Sequence, residues 1–393
     1  MTPPKRSKRQ GESMSNRGEK QEGEEKPIWR PTFTITPTIA RSLMRIEAAR
    51  AVVDKTPLPP AVAERLRYRA RLRSTHYSTR IEGNRLTLQE AEQVISGQTS
   101  RVVGYERDVR EVQHYWDAFL RVEEWVAHLK PLTEALIQRL HAVVEKGTRA
   151  KPTPYRDGQN VIRDSTTGRI VYMPPMTQEI PSLMKAMIAW ANQAEQEELP
   201  IPLIAGLVHY QFVTIHPYYD GNGRTARLLA TFLLHRGGYG LNGIFSLEEY
   251  HARDLNAYYG ALVTHPHHNY YEGRAEADLT TWLDYFLGTL ARVFALAEEE
   301  ALRTAQEGLP SEPEALRQLN ARTKRVLALF AKAETIRAQE VARLFGFSER
   351  AARTLLKELV NQGILEIVNP SNRARTYGLS EVYRKIVGSL SEI

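Results

Sequence analysis

His216, Asp220, Arg224 and Arg227 fall within twelve residues of one another, around the turn Gly221-Asn222-Gly223. An imidazole takes up a proton near neutral pH and can act as a base toward a hydroxyl. Arginines three apart on a helix share one face. A glycine turn that runs into a helix offers unpaired N–H groups and a positive dipole end to an anion. Two guanidinium groups beside such a terminus suit a polyphosphate better than a single carboxylate. Asp220 would repel phosphate directly, but it suits a Mg²⁺ ion that bridges phosphate oxygens. These residue types in this order therefore describe a site for a metal-bound polyphosphate with a base at hand.

The elements that must position these groups are legible in the apolar periodicity. Ile204, Leu207, Val208, Phe212 and Ile215 predict a buried helix over 201–215. Pro217 disfavours helical geometry at His216 and should stop it there. A new helix should start near Asn222 or Gly223 and continue through Leu228, Leu229, Phe232 and Leu233 to Gly237-Gly238. Upstream, Val161-Ile162 and Ile170-Val171-Tyr172 flank a glycine-containing turn, which predicts a β-hairpin. Further helices are expected over about 38–57, Ala61–Arg73, two stretches of 105–147 parted at Lys130-Pro131, Ile180–Ala194, Leu247–Val263 and Ala277–Leu296. Thr87 is the expected cap of a helix into Ile95. Ser74–Asn84 reads as a polar segment.

The string from His216 to Arg227 resembles the signature of the Fic family, His-Pro-Phe-x-Asp/Glu-Gly-Asn-Gly-Arg-x-x-Arg, with Tyr218 in place of the phenylalanine. The resemblance implies a mainly α fold: a Fic-type helical core, over about 100–300, with the hairpin as a flap that aligns the target segment. It implies a protein adenylyltransferase, in which His216 deprotonates a Ser, Thr or Tyr hydroxyl that attacks the α-phosphate of ATP. Asp220 would bind Mg²⁺. Gly221, Asn222, Gly223 and Arg224 would hold phosphates, and Arg227 the γ-phosphate. The family's aromatic packs beneath the loop, so the Tyr218 hydroxyl must find a partner. Tyr258 and Tyr259 are candidates for the nucleotide pocket, with core packing as the other reading. Ser78-Thr79-Arg80-Ile81-Glu82-Gly83-Asn84 resembles the family's inhibitory motif, which implies that Glu82, with Ser78, restrains Arg227. In some relatives the same glutamate supports removal of AMP.

Composition sets the frame. The chain has 393 residues, with 42% hydrophobic and 25% charged, an ordinary globular composition for two to three domains. The absence of cysteine excludes disulfides and thiol chemistry. No signal or spanning segment is visible, so a cytoplasmic protein without a membrane role is expected. Residues 1–27 read as a disordered tail, 28–100 as an N-terminal helical domain with the inhibitory motif, 101–300 as the catalytic core and 301–319 as a linker. Residues 320–393 resemble a winged helix-turn-helix domain: helices over Thr323–Phe330, Ile336–Leu344 and Glu349–Gln362, then two strands. Thirteen Lys/Arg against seven Asp/Glu from Asn320 onward supply most of the net +7. Arg350, Arg353 and Lys357 on the third helix, with Arg373 and Arg375 on the wing, could reach DNA. The expected partners are ATP, a target hydroxyl and DNA, with a homodimer left open. The alternative reading is a DNA-binding transcriptional regulator that senses nucleotide through a Fic fold.

Overall fold

The computed structural model describes residues 29–99, 106–163, 167–307, 319–331, 333–345, 348–371 and 375–388. The expected tail, 1–27, lies outside them. Two helices form the centre: α7 (Ile201–Ile215) and α8 (Asn222–Arg236), antiparallel across the glycine turn. Thirteen of the fifteen residues of α7 are buried, between Pro202 and Ile215, so this helix is buried all round and not merely striped, with His209, Gln211 and Thr214 among the buried residues. Around the pair pack α4 (Glu106–Ala127), α5 (Glu134–Lys146), α6 (Ile180–Gln196) and α11 (Thr280–Glu307). The crossing of α7 and α11 is close. A Cβ on Gly206 would meet the Phe286 ring at 2.8 Å, and Trp282 Nε1 donates to the Gly206 carbonyl at 2.8 Å.

α1 (Pro37–Lys55) lies along α11, and its Ile39, Ile46, Ala49 and Val53 enter the same core as α7 and α8. The boundary expected at 100/101 lies outside the described residues. α2 (Pro60–Ile81) runs eight residues beyond its expected end at Arg73. Ser74, Thr75, His76, Ser78 and Thr79 are buried, and Thr79 Oγ1 returns its proton to the helix carbonyls of Thr75 and His76. Hydroxyls bonded to their own helix can enter an interior, which polarity alone disguises. α3 (Leu88–Ile95) carries the expected Thr87 cap, completed by Glu90 into a capping box.

The hairpin is short: β1 (Ile162–Arg163) pairs antiparallel with β2 (Ile170–Tyr172). The helix expected over Leu247–Val263 is two, α9 (Glu248–Arg253) and α10 (Leu255–Leu262). They are parted at Asp254, which leaves helical geometry to cap α10 through the Ala257 N–H. α11 begins at Thr280, not Ala277, and continues to Glu307, so the expected linker starts inside a helix whose Ala301 is fully buried.

A second apolar cluster holds the C-terminal unit together. It comprises α12 (Ala321–Leu327) with a tighter turn over Ala328–Ala331, β3 (Thr335–Ile336), α13 (Ala338–Phe345), α14 (Glu349–Asn361), β4 (Leu365–Asn369), β5 (Thr376–Leu379) and α15 (Glu381–Gly388). The strands form an antiparallel sheet in the order β3-β5-β4. Ile336, expected to open a helix, instead pairs with Tyr377 in that sheet. Among the described residues no helix is long and apolar enough to cross a membrane.

Candidate active site

His216 ends α7 in the left-handed region, at φ 51° and ψ 58°. Few non-glycine residues accept that geometry, and Pro217 excludes the helical alternative. The strained residue is fixed from two sides. Its N–H bonds the Phe212 carbonyl at 3.0 Å, and its carbonyl accepts from Arg156 Nε at 3.0 Å. Nδ1 lies 3.3 Å from the Val213 carbonyl, which assigns the ring proton to Nδ1 and leaves Nε2 as the free base. Burial pushes the imidazole pKa down to about 4, so the ring is neutral.

The loop beyond is held from behind. Asn222 Oδ1 accepts from the Tyr218 N–H at 3.0 Å, and its Nδ2 donates to the Tyr218 carbonyl at 2.8 Å. This side chain was expected to cradle phosphate. It is buried, and these two bonds close the turn. His141 Nε2 lies 2.8 Å from the Asp220 carbonyl, and its ring stacks on Tyr218 at 3.6 Å. The Tyr218 hydroxyl, buried with the ring, finds no partner among the described residues, contrary to expectation.

Asp220 is the most open of these groups, its side chain 63% exposed. Its Oδ1 accepts from the Gly221 N–H at 2.7 Å, so that donor is occupied. The first N–H groups of α8, from Asn222 onward, have no intrahelical acceptor and remain available to an anion.

Both arginines are buried and both are paired. Arg227 Nε donates to Ser78 Oγ at 2.8 Å, and its Nη2 donates to the Ser78 carbonyl at 2.9 Å and to Glu82 Oε1 at 2.8 Å. Burial opposes the charge on Arg227, but Glu82, Tyr258 and Tyr115 outweigh it and hold the guanidinium pKa above its ordinary value. Glu82, Gly83 and Asn84 follow directly on the end of α2, the segment that polarity alone had placed outside a helix. Arg224 Nη2 donates to Glu145 Oε1 at 2.8 Å and to Asp220 Oδ1 at 3.4 Å, while Nη1 lies 3.9 Å from Glu111 Oε1. Burial pushes the Glu145 carboxyl pKa up, against the pull of Arg224.

Tyr258 does not line an open pocket. It is 1% exposed and bonds His209 Nε2 at 3.0 Å within the core. Tyr259 is about half exposed, its hydroxyl 3.4 Å from the Ile81 carbonyl at the end of α2. Three contributors escaped sequence reasoning: Glu145, Glu111 and Arg156. The two glutamates carry no local signal, since a charged residue on an amphipathic helix normally faces solvent. Arg156 follows a tyrosine before the hairpin. It donates to the carbonyls of His216, Gly158 and Pro175, so it ties the hairpin base to the loop that follows α7.

Residues 131–234, which span α5 to α8, match the Fic/DOC family. The chain carries a Fic domain. It is 26% identical over 205 residues to the protein adenylyltransferase Fic of Drosophila willistoni, covering 51% of this chain and 39% of that protein. The corresponding protein of Drosophila grimshawi is also 26% identical, with 51% and 40% covered. The chain thus spans about two fifths of the length of these curated relatives. Two solved structures share the fold. A Fic family protein from Desulfovibrio desulfuricans G20 aligns with a TM-score of 0.56 and 23% identity over 90% of this chain and 99% of that one. A Fic domain containing signaling protein from Bacteroides thetaiotaomicron aligns with 0.56 and 22% over 69% and 97%.

The orphaned Tyr218 hydroxyl makes a stability prediction. Tyr218→Phe should match or exceed the wild type in unfolding free energy, by up to about 1 kcal/mol, because it removes a desolvated group with no bond to lose. Urea denaturation measures this directly.

Proposed function

We propose that this Fic domain transfers AMP from ATP to a protein hydroxyl, and that Glu82 restrains it. The reading rests on one juxtaposition: a neutral imidazole at the mouth of a glycine turn flanked by two buried arginines. The names of the Drosophila relatives point the same way. The target hydroxyl oxygen attacks the α-phosphorus, and His216 Nε2 takes its proton. The bond from that phosphorus to the bridging oxygen breaks, and pyrophosphate leaves with the electron pair. Arg224 and Arg227 offset charge on the phosphates, and the loop supplies orientation more than covalent chemistry.

Asp220 fits a Mg²⁺ ion. It offers a hard, exposed carboxylate at the edge of the loop, and a magnesium ion carried on phosphates needs only one or two such ligands from the protein. Among the described residues no cluster of three His, Asp or Glu is placed to hold a metal by itself. Mg²⁺ held there would neutralise phosphate charge. The exposed strand residues Ile170 and Val171 offer a target segment an apolar edge beside the base.

Glu82 and a γ-phosphate compete for Arg227, because one guanidinium cannot serve both equally. Glu82→Gly should therefore raise auto-modification, read as added AMP by intact mass with ATP and Mg²⁺. His216→Ala in that background should cut it by about 100- to 10,000-fold. Equal labelling of Glu82→Gly and wild type would remove the restraint from the reading.

The low pKa of His216 adds a second test. Its base form persists above about pH 4, so the Glu82→Gly rate should stay flat from about pH 5.5 to 8. An ordinary histidine would instead lose rate as pH falls below about 6.5.

We also propose that the C-terminal unit contacts duplex DNA. Arg350, Arg353 and Lys357 are exposed on α14, with Arg353 shared by Glu349. Arg375 donates to the Pro370 carbonyl near the β4–β5 turn, and Arg373 lies outside the described residues. Binding to a random duplex should weaken at least tenfold between about 50 and 200 mM salt. No mobility shift at low salt would leave this unit a protein-binding one.

A further inference from the structure

The glycine turn is filled by two carboxylates, not one. A Cβ on Gly223 would lie 2.4 Å from Glu82 Oε1, and a Cβ on Gly221 would lie 2.4 Å from Glu145 Oε1. Each of these oxygens is 2.8 Å from one arginine of the pair, Glu82 at Arg227 and Glu145 at Arg224. Two acidic groups two residues apart along the turn thus sit where successive phosphates of a nucleotide would sit. Their origins differ. Glu82 arrives on α2, whereas Glu145 belongs to the last turn of α5, inside the Fic domain itself. Asn84 links the two, since its Nδ2 donates to Glu111 Oε2 at 3.0 Å and Glu111 Oε1 approaches Arg224.

We propose that Glu145 is a second determinant of nucleotide affinity, which occupies at Arg224 the seat of the phosphate next to the one that Glu82 imitates at Arg227. The inference rests on the nucleotide reading of this site. Three carboxylates, Glu111, Glu145 and Asp220, surround Arg224, and Arg107 pairs with Glu111; among the described residues these ion pairs bring in no further cation. Acid already exceeds base there, so an incoming phosphate meets repulsion until one carboxylate withdraws. Glu145 can withdraw by a side-chain rotation toward solvent, because its side chain is 21% exposed. Displacing α2 frees Arg227 and leaves Arg224 occupied. Release of Glu82 alone is therefore incomplete relief.

Calorimetric titration of AMP, ADP and ATP with Mg²⁺ separates the two carboxylates. Glu145→Gln keeps the shape and removes the charge. It should tighten ADP and ATP about tenfold, the effect of one close charge pair in a half-buried site, and leave AMP unchanged. Glu82→Gly should tighten ATP alone, and the double variant should combine both gains. Unchanged or weaker ADP binding in Glu145→Gln, beside tighter ATP binding in Glu82→Gly, would overturn the inference and leave the nucleotide reading intact. An equal change for AMP would overturn it too. Absence of nucleotide binding in every variant would instead remove the nucleotide reading. Should Glu145→Gln melt early, Glu145→Asp carries the test, because it draws the charge back by one methylene and should give part of the ADP gain.

Discussion

A guanidinium buried to 2% exposure cannot stand without an anion, and the placement of Arg227 sets the terms for the rest of the molecule. Leaving such a charge unpaired costs several kcal/mol. The interior must therefore offer either a carboxylate of its own or an opening for one from outside. α2 meets the first demand with Glu82, and its length past Arg73 serves that end. Had the helix stopped where its polarity suggests, Ser78 and Glu82 would fall short of the core. The Thr79 hydroxyl, bonded back to its own helix, and Ser78, bonded to Arg227, let α2 continue through the interior.

The loop that faces this arginine is shaped by what lies behind it. Asn222 closes the turn on Tyr218, His141 holds the Asp220 carbonyl, and Arg156 holds that of His216. Only Gly221 needs its conformational freedom, at φ 73°. At Gly223 the requirement is space, since any side chain would strike Glu82. Space is short at both glycines, since a side chain on Gly221 would strike Glu145, and Gly221 alone of the two adds a conformational demand.

Much of this was legible beforehand. The apolar run of α7, the stop at Pro217 and the restart at Asn222 follow from periodicity and proline geometry, and they place His216, Asp220, Arg224 and Arg227 together. The pairing of Ser78 and Glu82 with Arg227 was legible only by resemblance, because they lie far from their partner in sequence. Other roles depend on packing that the sequence does not record. The Asn222 amide bonds the Tyr218 backbone, and Tyr258, open to two readings in the sequence, packs in the core beside His209. Glu145 and Glu111 look like solvent-facing helix charges until α8 brings Arg224 between them. Tertiary pairing converts ordinary residues into site residues, and no local pattern records it.

Arg156 has one more consequence. A single planar fork holds the His216 carbonyl and the two ends of the hairpin base at Gly158 and Pro175. The hairpin and the base therefore cannot drift apart independently. On the proposed reading, a peptide laid along β2 would meet a fixed gauge between its backbone and the imidazole. Short and long acceptor side chains cannot both span such a gauge, so the choice between serine or threonine and tyrosine would be made by length, ahead of any chemistry at the hydroxyl.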